Sequence, residues 1–176
     1  MKRFLVVVDM QKDFVDGSLG TAEAQAIVPP VAEKICGFDG TVFATLDTHG
    51  ANYLETSEGR HLPVAHCIKG TPGWQLNADV AAALEGKHVV VLEKPTFGSL
   101  ELVERIRQAA GGADFSVELI GLCTDICVVS NALLLKANFY EQTVRVDAAC
   151  CAGVTPETHR AALTTMRMCQ IEVENA

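Results

Sequence analysis

The stretch Val117-Glu-Leu-Ile-Gly-Leu-Cys-Thr-Asp-Ile-Cys127 decides the fold, because a buried apolar run gives way within it to a helical pattern. The apolar run stops abruptly after its glycine, and the positions from Ile126 to Lys136 have the spacing of a helix. Thr124 and Asp125 are residue types that cap a helix N-terminus. Cys127 is therefore predicted in the first turn of a helix, just beyond the C-terminal end of a strand.

This placement favours a reactive thiol at Cys127. A helix N-terminus presents unpaired N–H groups and about half a positive charge, which favours thiolate over thiol. The C-terminal edge of the strands is also where open α/β sheets bind ligands. A buried structural cysteine is the alternative that this stretch leaves open.

The rest of the chain repeats the same alternation of strand and helix. Short apolar runs predict strands at Phe4–Asp9, Thr41–Leu46, His88–Glu93, 115–122, Gln142–Asp147 and Gln170–Glu174. Helices are predicted at 29–35, 78–84, 100–110, 125–138 and 156–168, whereas 11–25 and 48–73 are predicted as loops. The alternation predicts an α/β fold, a three-layer α/β/α sandwich with a doubly wound, mostly parallel six-stranded sheet in one domain, 1–176.

Composition excludes several classes of partner. The chain has 176 residues and a formal net charge of −8, which argues against nucleic acid or an anionic membrane as the main partner. The start of the chain does not resemble a signal peptide, and no apolar run approaches the ~18 residues of a membrane span. The seven cysteines are therefore expected to be free thiols in a reducing cytoplasm.

Three predicted strands end in ionisable residues, and a fourth leads to the cysteine. The three are Asp9, Asp47 and Lys94, which should meet Cys127 because parallel strands end along one edge of the sheet. Asp9 can accept the thiol proton, and Lys94 can hold a nearby anion. Each charged residue alone is more often a solvated loop residue, but the combination at one edge favours nucleophilic catalysis.

The long segment 48–73 adds candidate metal ligands. Asp47 and His49 are two residues apart and point to the same side of an extended segment. Glu58 and His66 are further candidates, whereas His61 is expected to be simply exposed. Such oxygen and nitrogen donors suit zinc, manganese or iron(II).

Five blocks of sequence resemble one enzyme family, the isochorismatase-like cysteine hydrolases, and within it the nicotinamidases. In chain order the blocks are Val8-Asp-Met-Gln-Lys-Asp-Phe14, Asp47-Thr-His49, Pro63-Val-Ala-His-Cys67 with Gly70-Thr-Pro-Gly73, Lys94-Pro-Thr-Phe-Gly-Ser99, and Gly121-Leu-Cys-Thr-Asp-Ile-Cys127. They cover nearly the whole chain. Each block is loose alone, but together they are specific for the superfamily.

The resemblance implies roles for particular residues. It implies a triad with Asp9 as base, Lys94 as its electrostatic partner and Cys127 as nucleophile. It also implies a cis peptide between Leu122 and Cys123, and an oxyanion hole formed by the N–H groups of Cys123 and Cys127.

The same resemblance implies a divalent metal, with zinc as the first choice and manganese or iron as alternatives. The implied ligands are Asp47, His49 and His66, and Glu58 is chosen for the fourth position, which varies within the family. Phe14 and Leu122 are the expected substrate contacts.

Two departures bear on the substrate. Nicotinamidases often have a tryptophan three residues before the last metal histidine, and this chain has Pro63 there, with Trp74 as its only tryptophan. The presence of Cys127 argues against isochorismate hydrolysis, because enzymes of that branch have no cysteine at the matching position.

The resulting expectation is a cysteine-dependent hydrolase of amide C–N bonds that converts nicotinamide to nicotinate and ammonia. An amidase for a carbamoyl or ureido substrate is the nearest alternative. A metal- or ligand-binding protein without turnover is a second alternative, and a redox pair formed by Cys123 and Cys127 is a third. The family usually forms dimers or tetramers, so a homo-oligomer is expected by resemblance.

Overall fold

A single sheet of six parallel strands forms the centre of the computed structural model, which describes residues 1–176. The strand order is β3-β2-β1-β4-β5-β6, so the chain winds outward in both directions from β1 and β4. The strands are β1 (Lys2–Val8), β2 (Thr41–Asp47), β3 (Val89–Lys94), β4 (Phe115–Leu122), β5 (Thr143–Ala152) and β6 (Glu172–Glu174).

Eight helices connect these strands. They are α1 (Lys12–Val15), α2 (Ala22–Ala26), α3 (Val28–Gly37), α4 (Ser57–His61), α5 (Ala78–Leu84), α6 (Leu100–Ala110), α7 (Val129–Asn138) and α8 (Pro156–Met168). Short 3₁₀ turns lie at Tyr53–Glu55 and Pro72–Trp74, and a π-helical turn lies at Thr124–Val128. None of these helices combines the length and the apolar character that crossing a membrane would require.

The core has two halves, one on each face of the sheet. Along β1, Phe4, Val6 and Val8 pack on the side of α6, α7 and α8, whereas Leu5 and Val7 pack on the side of α2, α3 and α5. All five are buried, because side chains alternate between the two covered faces of a central parallel strand. The predicted three-layer sandwich is confirmed, and its sheet is wholly parallel.

The helix-capping signals in the sequence are confirmed at three helices. The Asn77 side chain accepts hydrogen bonds from the first turn of α5, Ser99 accepts one from the Leu102 N–H, and Thr155 caps α8 with Pro156 at the first position. These side chains satisfy N–H groups that the helix itself leaves unpaired.

The prediction that 11–25 and 48–73 are loops is wrong in detail. Both segments contain short helices, α1 and α2 in the first and α4 in the second, too short to show a sustained period. The fifth strand is also longer than predicted, since β5 continues through the two adjacent cysteines to Ala152.

Helical structure begins at Thr124, so Cys127 lies in the first turn as predicted, but the predicted capping by the Thr124 and Asp125 side chains is wrong. The turn that contains Cys127 is π-helical, and no side chain caps it. Thr124 instead contacts His159, and the Asp125 carboxylate accepts a hydrogen bond from the Val154 N–H. The two side chains therefore tie the turn to the segment after β5.

One glycine brings the central strands together where the functional residues follow them. Gly121 has a φ of 113°, and a Cβ there would lie 2.2 Å from the Val8 carbonyl oxygen. Any larger residue would push β4 away from β1. The close approach sets the distance between Asp9, which follows β1, and Cys123, which follows β4.

A partly buried ion cluster connects α3 to the two neighbouring strands β4 and β5. Lys34 on α3 contacts Glu118 on β4 and Asp147 on β5, each at 2.6 Å, and Asn175 donates to Asp147 at 3.0 Å. Burial opposes ionisation of Asp147, but the bonds from Lys34 and Asn175 outweigh it and lower the pKa.

Replacing Asp147 with asparagine should lower the free energy of unfolding by about 2 kcal/mol at pH 7, because a charged hydrogen bond is lost while Glu118 still holds Lys34. The lowered pKa means that this stability is present above the carboxyl's unfolded pKa, near 4, and is lost as pH falls through the folded value. Urea unfolding at pH 7 and at about pH 3 checks both points. Glu172→Gln, which removes an exposed ion pair with Arg145, is the control and should change stability by less than about 0.5 kcal/mol. An equal loss of stability in both variants would contradict the stabilising role assigned to Asp147.

Candidate active site

Asp9, Lys94 and Cys127 meet at the C-terminal edge of the sheet. The Lys94 Nζ lies 2.6 Å from an Asp9 carboxylate oxygen and 3.4 Å from the Cys127 Sγ. All three side chains are almost completely buried. The structure thus brings together the three residues that sequence reasoning placed at this edge.

The charge state of this group differs from the thiolate that a helix N-terminus would favour. Burial raises the pKa of Cys127 well above its ordinary value, the Asp9 charge raises it further, and Lys94 only partly compensates. Burial also raises the pKa of Asp9, against the opposing effect of Lys94. Burial opposes the charge of Lys94, but Asp9, Cys127 and Asp47 outweigh it and raise its pKa. Burial and the Asp9 charge therefore favour the neutral thiol at Cys127, and the raised pKa makes Asp9 a stronger base than an exposed aspartate.

Side chains on β2 and after β1 hold Asp9 and Asp47 in place. The Thr45 hydroxyl donates to Asp9 at 2.6 Å. Gln11 is fully buried; its amide donates to the Asp47 carbonyl at 2.8 Å and accepts from the Asp47 N–H at 2.7 Å. Asp9 itself has a φ of 47°, a strained value for a residue other than glycine and one that often marks a functional site.

The turn that carries Cys127 is fixed by its own backbone and by Asn131. The Cys123 carbonyl accepts from the N–H groups of Ile126 and Val128, and the Asn131 amide donates to the Cys127 carbonyl at 2.8 Å. The Leu122–Cys123 peptide is cis, which confirms that sequence-based prediction. The Cys123 N–H has no acceptor within the chain.

Asp47, His49, Glu58 and His66 form a compact cluster beside the triad. Their ligand atoms lie within 4.8 Å of one another. The His49 Nε2 is 2.9 Å from an Asp47 oxygen, and the His66 Nε2 is 3.5 Å from oxygens of both Asp47 and Glu58. Three of the four are buried and Glu58 is partly exposed, so the four donors converge on one protected point.

The chemistry of this cluster fits a divalent metal. Two imidazole nitrogens and two carboxylate oxygens match a mixed site for zinc or a similar ion. The His66 Nδ1 lies 2.8 Å from the Val64 carbonyl, which leaves its Nε2 directed to the cluster, and Tyr53 packs against both histidine rings. Burial opposes ionisation of Asp47, but its hydrogen bonds to the two histidines outweigh it and lower the pKa. A carboxylate that stays charged beside two imidazoles is suited to binding a cation.

A cavity of about 620 Å³ connects the triad to the metal-ligand cluster. Cys123 and Cys127 line it, and so do Asp47, Glu58 and His66. Phe14 and Leu122, the predicted substrate contacts, both line it, and the Phe14 ring centroid lies 5.4 Å from that of His66. The cavity is thus bounded by a nucleophile, a polar cluster and an aromatic wall.

Other residues singled out in the sequence lie at the margin of the cavity or away from it. His61 is exposed, as predicted; it lines the cavity but does not belong to the cluster. Neither Pro63 nor Trp74 lines the cavity, and the Trp74 indole instead donates to Thr48 at 2.9 Å. The tryptophan of nicotinamidases therefore has no counterpart at Pro63, and the phenylalanines that line the cavity are Phe14 and Phe97.

Sequence reasoning missed the supporting residues Gln11, Thr45, Asn131 and His159. Gln11 lies inside the block Val8–Phe14 that carries the family resemblance, so the sequence could have indicated its importance. Thr45 faces Asp9 because Val8 pairs with it across β1 and β2, and that register became known only from the fold. Asn131 stands four residues after Cys127, which places both on one side of a helical segment.

Comparison with known proteins gives a consistent match. The model of the isochorismatase domain matches residues 3–176. The nicotinamidase/pyrazinamidase of Mycobacterium tuberculosis is 30% identical to this chain over 97% of each chain. The crystal structure of a Bacillus subtilis nicotinamidase/pyrazinamidase is similar with a TM-score of 0.81, at 27% identity over 99% of this chain and 100% of that one. A Pyrococcus horikoshii pyrazinamidase, solved in complex with zinc, has a TM-score of 0.80 at 28% identity over 98% of each chain.

The family match spans almost the whole chain, and the similar structures share its complete fold. The five sequence blocks that carried the resemblance lie at the sheet edge or in the loops beside it. The chain belongs to the isochorismatase family.

Proposed function

We propose that this protein is a nicotinamidase that hydrolyses nicotinamide to nicotinate and ammonia. The observation that carries the proposal is the contact of Lys94 with both Asp9 and Cys127, together with the cavity that Cys127 lines and that also reaches the metal-ligand cluster. The relatives named as nicotinamidases support the choice of amide.

In the proposed reaction, Asp9 takes the thiol proton as the Cys127 sulfur attacks the amide carbon. The Lys94 ammonium remains within 3.4 Å of the sulfur and 2.6 Å of the carboxylate, so it stabilises whichever of the two is charged. The carbonyl oxygen becomes negative and is held by the N–H groups of Cys123 and Cys127.

The second half of the reaction uses the same groups in reverse. Asp9 gives its proton to the leaving nitrogen, and ammonia departs to leave a thioester on Cys127. Asp9, again a carboxylate, then takes a proton from water as the water attacks the thioester. The C–S bond breaks, Asp9 returns the proton to the Cys127 sulfur, and nicotinate leaves. Burial raises the pKa of Asp9 above its ordinary value, which makes the group a stronger base for the thiol proton and the water proton.

Asp47, His49, Glu58 and His66 are the proposed ligands of a divalent metal, with zinc as the first choice. A metal bound there would hold the ring nitrogen of nicotinamide and so orient the carboxamide towards Cys127. Phe14 would pack on one face of the ring, and Leu122 would contact it beside the nucleophile.

The proposal is tested by measuring ammonia release from nicotinamide, from a panel of other aromatic and aliphatic amides, and from carbamoyl and ureido compounds. The highest kcat/KM is expected for nicotinamide. A clear preference for a carbamoyl or ureido compound would replace the proposed substrate with the alternative, for which the proline at position 63, where nicotinamidases often have a tryptophan, is the favouring observation. No turnover of any amide by the metal-loaded protein would support a binding protein instead.

Loss of one candidate metal ligand provides a separate prediction. His66→Ala should lower the metal bound per chain, because it deletes a buried donor whose Nε2 faces both carboxylates. Metal analysis by mass spectrometry after dialysis checks this, with His61→Ala as the matched control because His61 lies outside the cluster. Equal metal content in the two variants would contradict the ligand assignment.

A cytoplasmic location and a homo-oligomer, either a dimer or a tetramer, complete the proposal. All seven cysteines are free in the structure, as a reducing compartment requires. Light scattering combined with size-exclusion chromatography measures the oligomeric state directly.

A further inference from the structure

The π-helical turn at Thr124–Val128 is held on its outer side by two contacts with the segment after β5. The His159 Nδ1 on α8 lies 2.8 Å from the Thr124 hydroxyl. One residue further along the turn, the Asp125 carboxylate accepts a hydrogen bond from the Val154 N–H at 3.1 Å. Neither contact belongs to the triad or to the metal-ligand cluster.

The His159 end of this contact is well anchored. Thr155 and Thr158 form a reciprocal capping box at the start of α8, so the first turn of the helix that carries His159 is fixed. A Cβ added at Gly153 would come within 2.9 Å of the His159 backbone. The loop after β5 therefore lies directly against α8 at this residue.

Thr124, the other partner in this contact, is adjacent in sequence to Cys123 and belongs to the same turn as Cys127. Thr124 is fully buried and begins the turn that contains Cys127. The residue before it, Cys123, carries the N–H group proposed for the oxyanion hole. Because the Cys123 carbonyl is bonded to two N–H groups of the same turn, a shift of Thr124 would move both cysteines relative to Asp9 and Lys94.

We propose that His159 is a positioning residue for amide hydrolysis, which acts through Thr124 by fixing the turn that carries Cys127 and the Cys123 N–H. The inference rests on the proposed amidase function. His159 does not line the cavity, so it has no direct contact with substrate.

The environment of His159 suits this role. Burial lowers its pKa, Arg160 lowers it further, and the opposing charge of Asp125 is too weak to reverse the effect. The ring is therefore neutral at pH 7 and can form a hydrogen bond with a hydroxyl group without placing a second charge near the catalytic turn.

His159→Ala should lower kcat about tenfold and leave KM nearly unchanged. A loosened turn misplaces groups that matter mainly in the transition state, and complete removal of one oxyanion donor costs more, roughly 10²–10³ in kcat. His159 does not line the cavity, so the substitution leaves the residues that would bind the pyridine ring of the substrate unchanged.

Nicotinaldehyde provides a second readout, which does not depend on turnover. The Cys127 sulfur adds to its carbonyl carbon, the π electrons move to the oxygen, and the thiol proton passes to Asp9, so a tetrahedral adduct forms reversibly. Its affinity should fall about tenfold in His159→Ala, in parallel with kcat, whereas the affinity for nicotinate should stay within about twofold. A merely structural defect would weaken both ligands together.

Two further variants complete the design. His159→Asn keeps a polar atom near the position of Nδ1 and should recover most of kcat, which keeps the test available if the alanine variant folds poorly. Thr124→Val should lower kcat as His159→Ala does, and the double variant should show no further loss, because both remove one hydrogen bond. Thr165→Ala, an exposed change on the same helix, is the matched control and should leave kinetics unchanged.

Wild-type kcat in His159→Ala, or additive losses in the double variant, would overturn the proposal. So would an equal weakening of nicotinaldehyde and nicotinate. If the wild-type protein does not hydrolyse nicotinamide, the proposed function fails, and the aldehyde measurements alone still decide whether His159 positions the turn.

Discussion

Replacing Cys127 with alanine is expected to abolish amide hydrolysis, with kcat falling on the order of 10⁴-fold or more. The Cys127 thiol lines the cavity and lies 3.4 Å from the Lys94 ammonium, so its loss removes the proposed nucleophile. Steady-state ammonia release, measured with enough protein to detect the residual rate, gives the size of the loss.

The fold and the metal should survive this substitution. Cys127 lies within a well-packed core but contributes no metal ligand, so metal content and the cooperativity of unfolding should match those of the wild type. Cys169→Ala removes an exposed thiol at the end of α8 and is the matched control, with kinetics expected to be unchanged. Substantial turnover in Cys127→Ala, with the metal still bound, would remove the proposed mechanism.

Asp9→Asn is expected to cost on the order of 10⁴ in kcat/KM, because the residue that receives and returns the proton is lost while its shape is kept. The neutral amide introduced by this substitution would also fail to balance the Lys94 ammonium, which stays beside the sulfur. The loss should appear in kcat, since the side chain moves protons in the reaction and is not among the residues that line the cavity.

The same substitution should make the Cys127 thiol more acidic. After burial, the Asp9 charge is the second cause that raises the pKa of Cys127, whereas Lys94 lowers it. Removing the carboxylate therefore shifts thiolate formation to lower pH even though activity is lost. Ultraviolet absorbance of the thiolate, measured across pH against Asp9→Asn/Cys127→Ala, isolates the signal of this one cysteine.

In Asp9→Asn the activity must be lost while the Cys127 thiol becomes more acidic. Asp16→Asn, which affects an exposed ion pair with Lys12, is the control for loss of a carboxylate and should change neither readout. A variant that is inactive but whose Cys127 titrates at higher pH than the wild type would contradict the electrostatic role assigned to Asp9.

The position of the site could be predicted from the sequence because it follows from the topology. Strands that end in Asp9, Asp47 and Lys94 had to place those residues along one edge once the sheet was parallel. The structure adds that β1 lies between β2 and β4, and that the Lys94 ammonium contacts both the Asp9 carboxylate and the Cys127 sulfur.

The charge state of Cys127 could not be predicted in the same way. The sequence indicated a helix N-terminus, which favours thiolate, but it could not show that the sulfur is buried against a carboxylate. Burial and a neighbouring negative charge outweigh the partial charge of a short turn. The direction of the pKa shift depends on contacts between residues more than 100 positions apart in the sequence.

The supporting hydrogen bonds depend on register in the same way. Thr45 contacts Asp9 because Val8 pairs with it, and His159 contacts Thr124 because α8 begins immediately after the strand beside β4. Neither pair has a sequence pattern of its own. Such contacts become visible only when the strand order and register are known.

The central claim is that Cys127 forms an acyl intermediate in hydrolysis, and partitioning with hydroxylamine tests it most directly. The wild-type protein would be given nicotinamide or methyl nicotinate at one hydroxylamine concentration, and the ratio of hydroxamate to nicotinate would be measured. The same ratio from both substrates is predicted, because both pass through one thioester on Cys127. Ratios that differ between the amide and the ester, or no hydroxamate from either, would contradict the account.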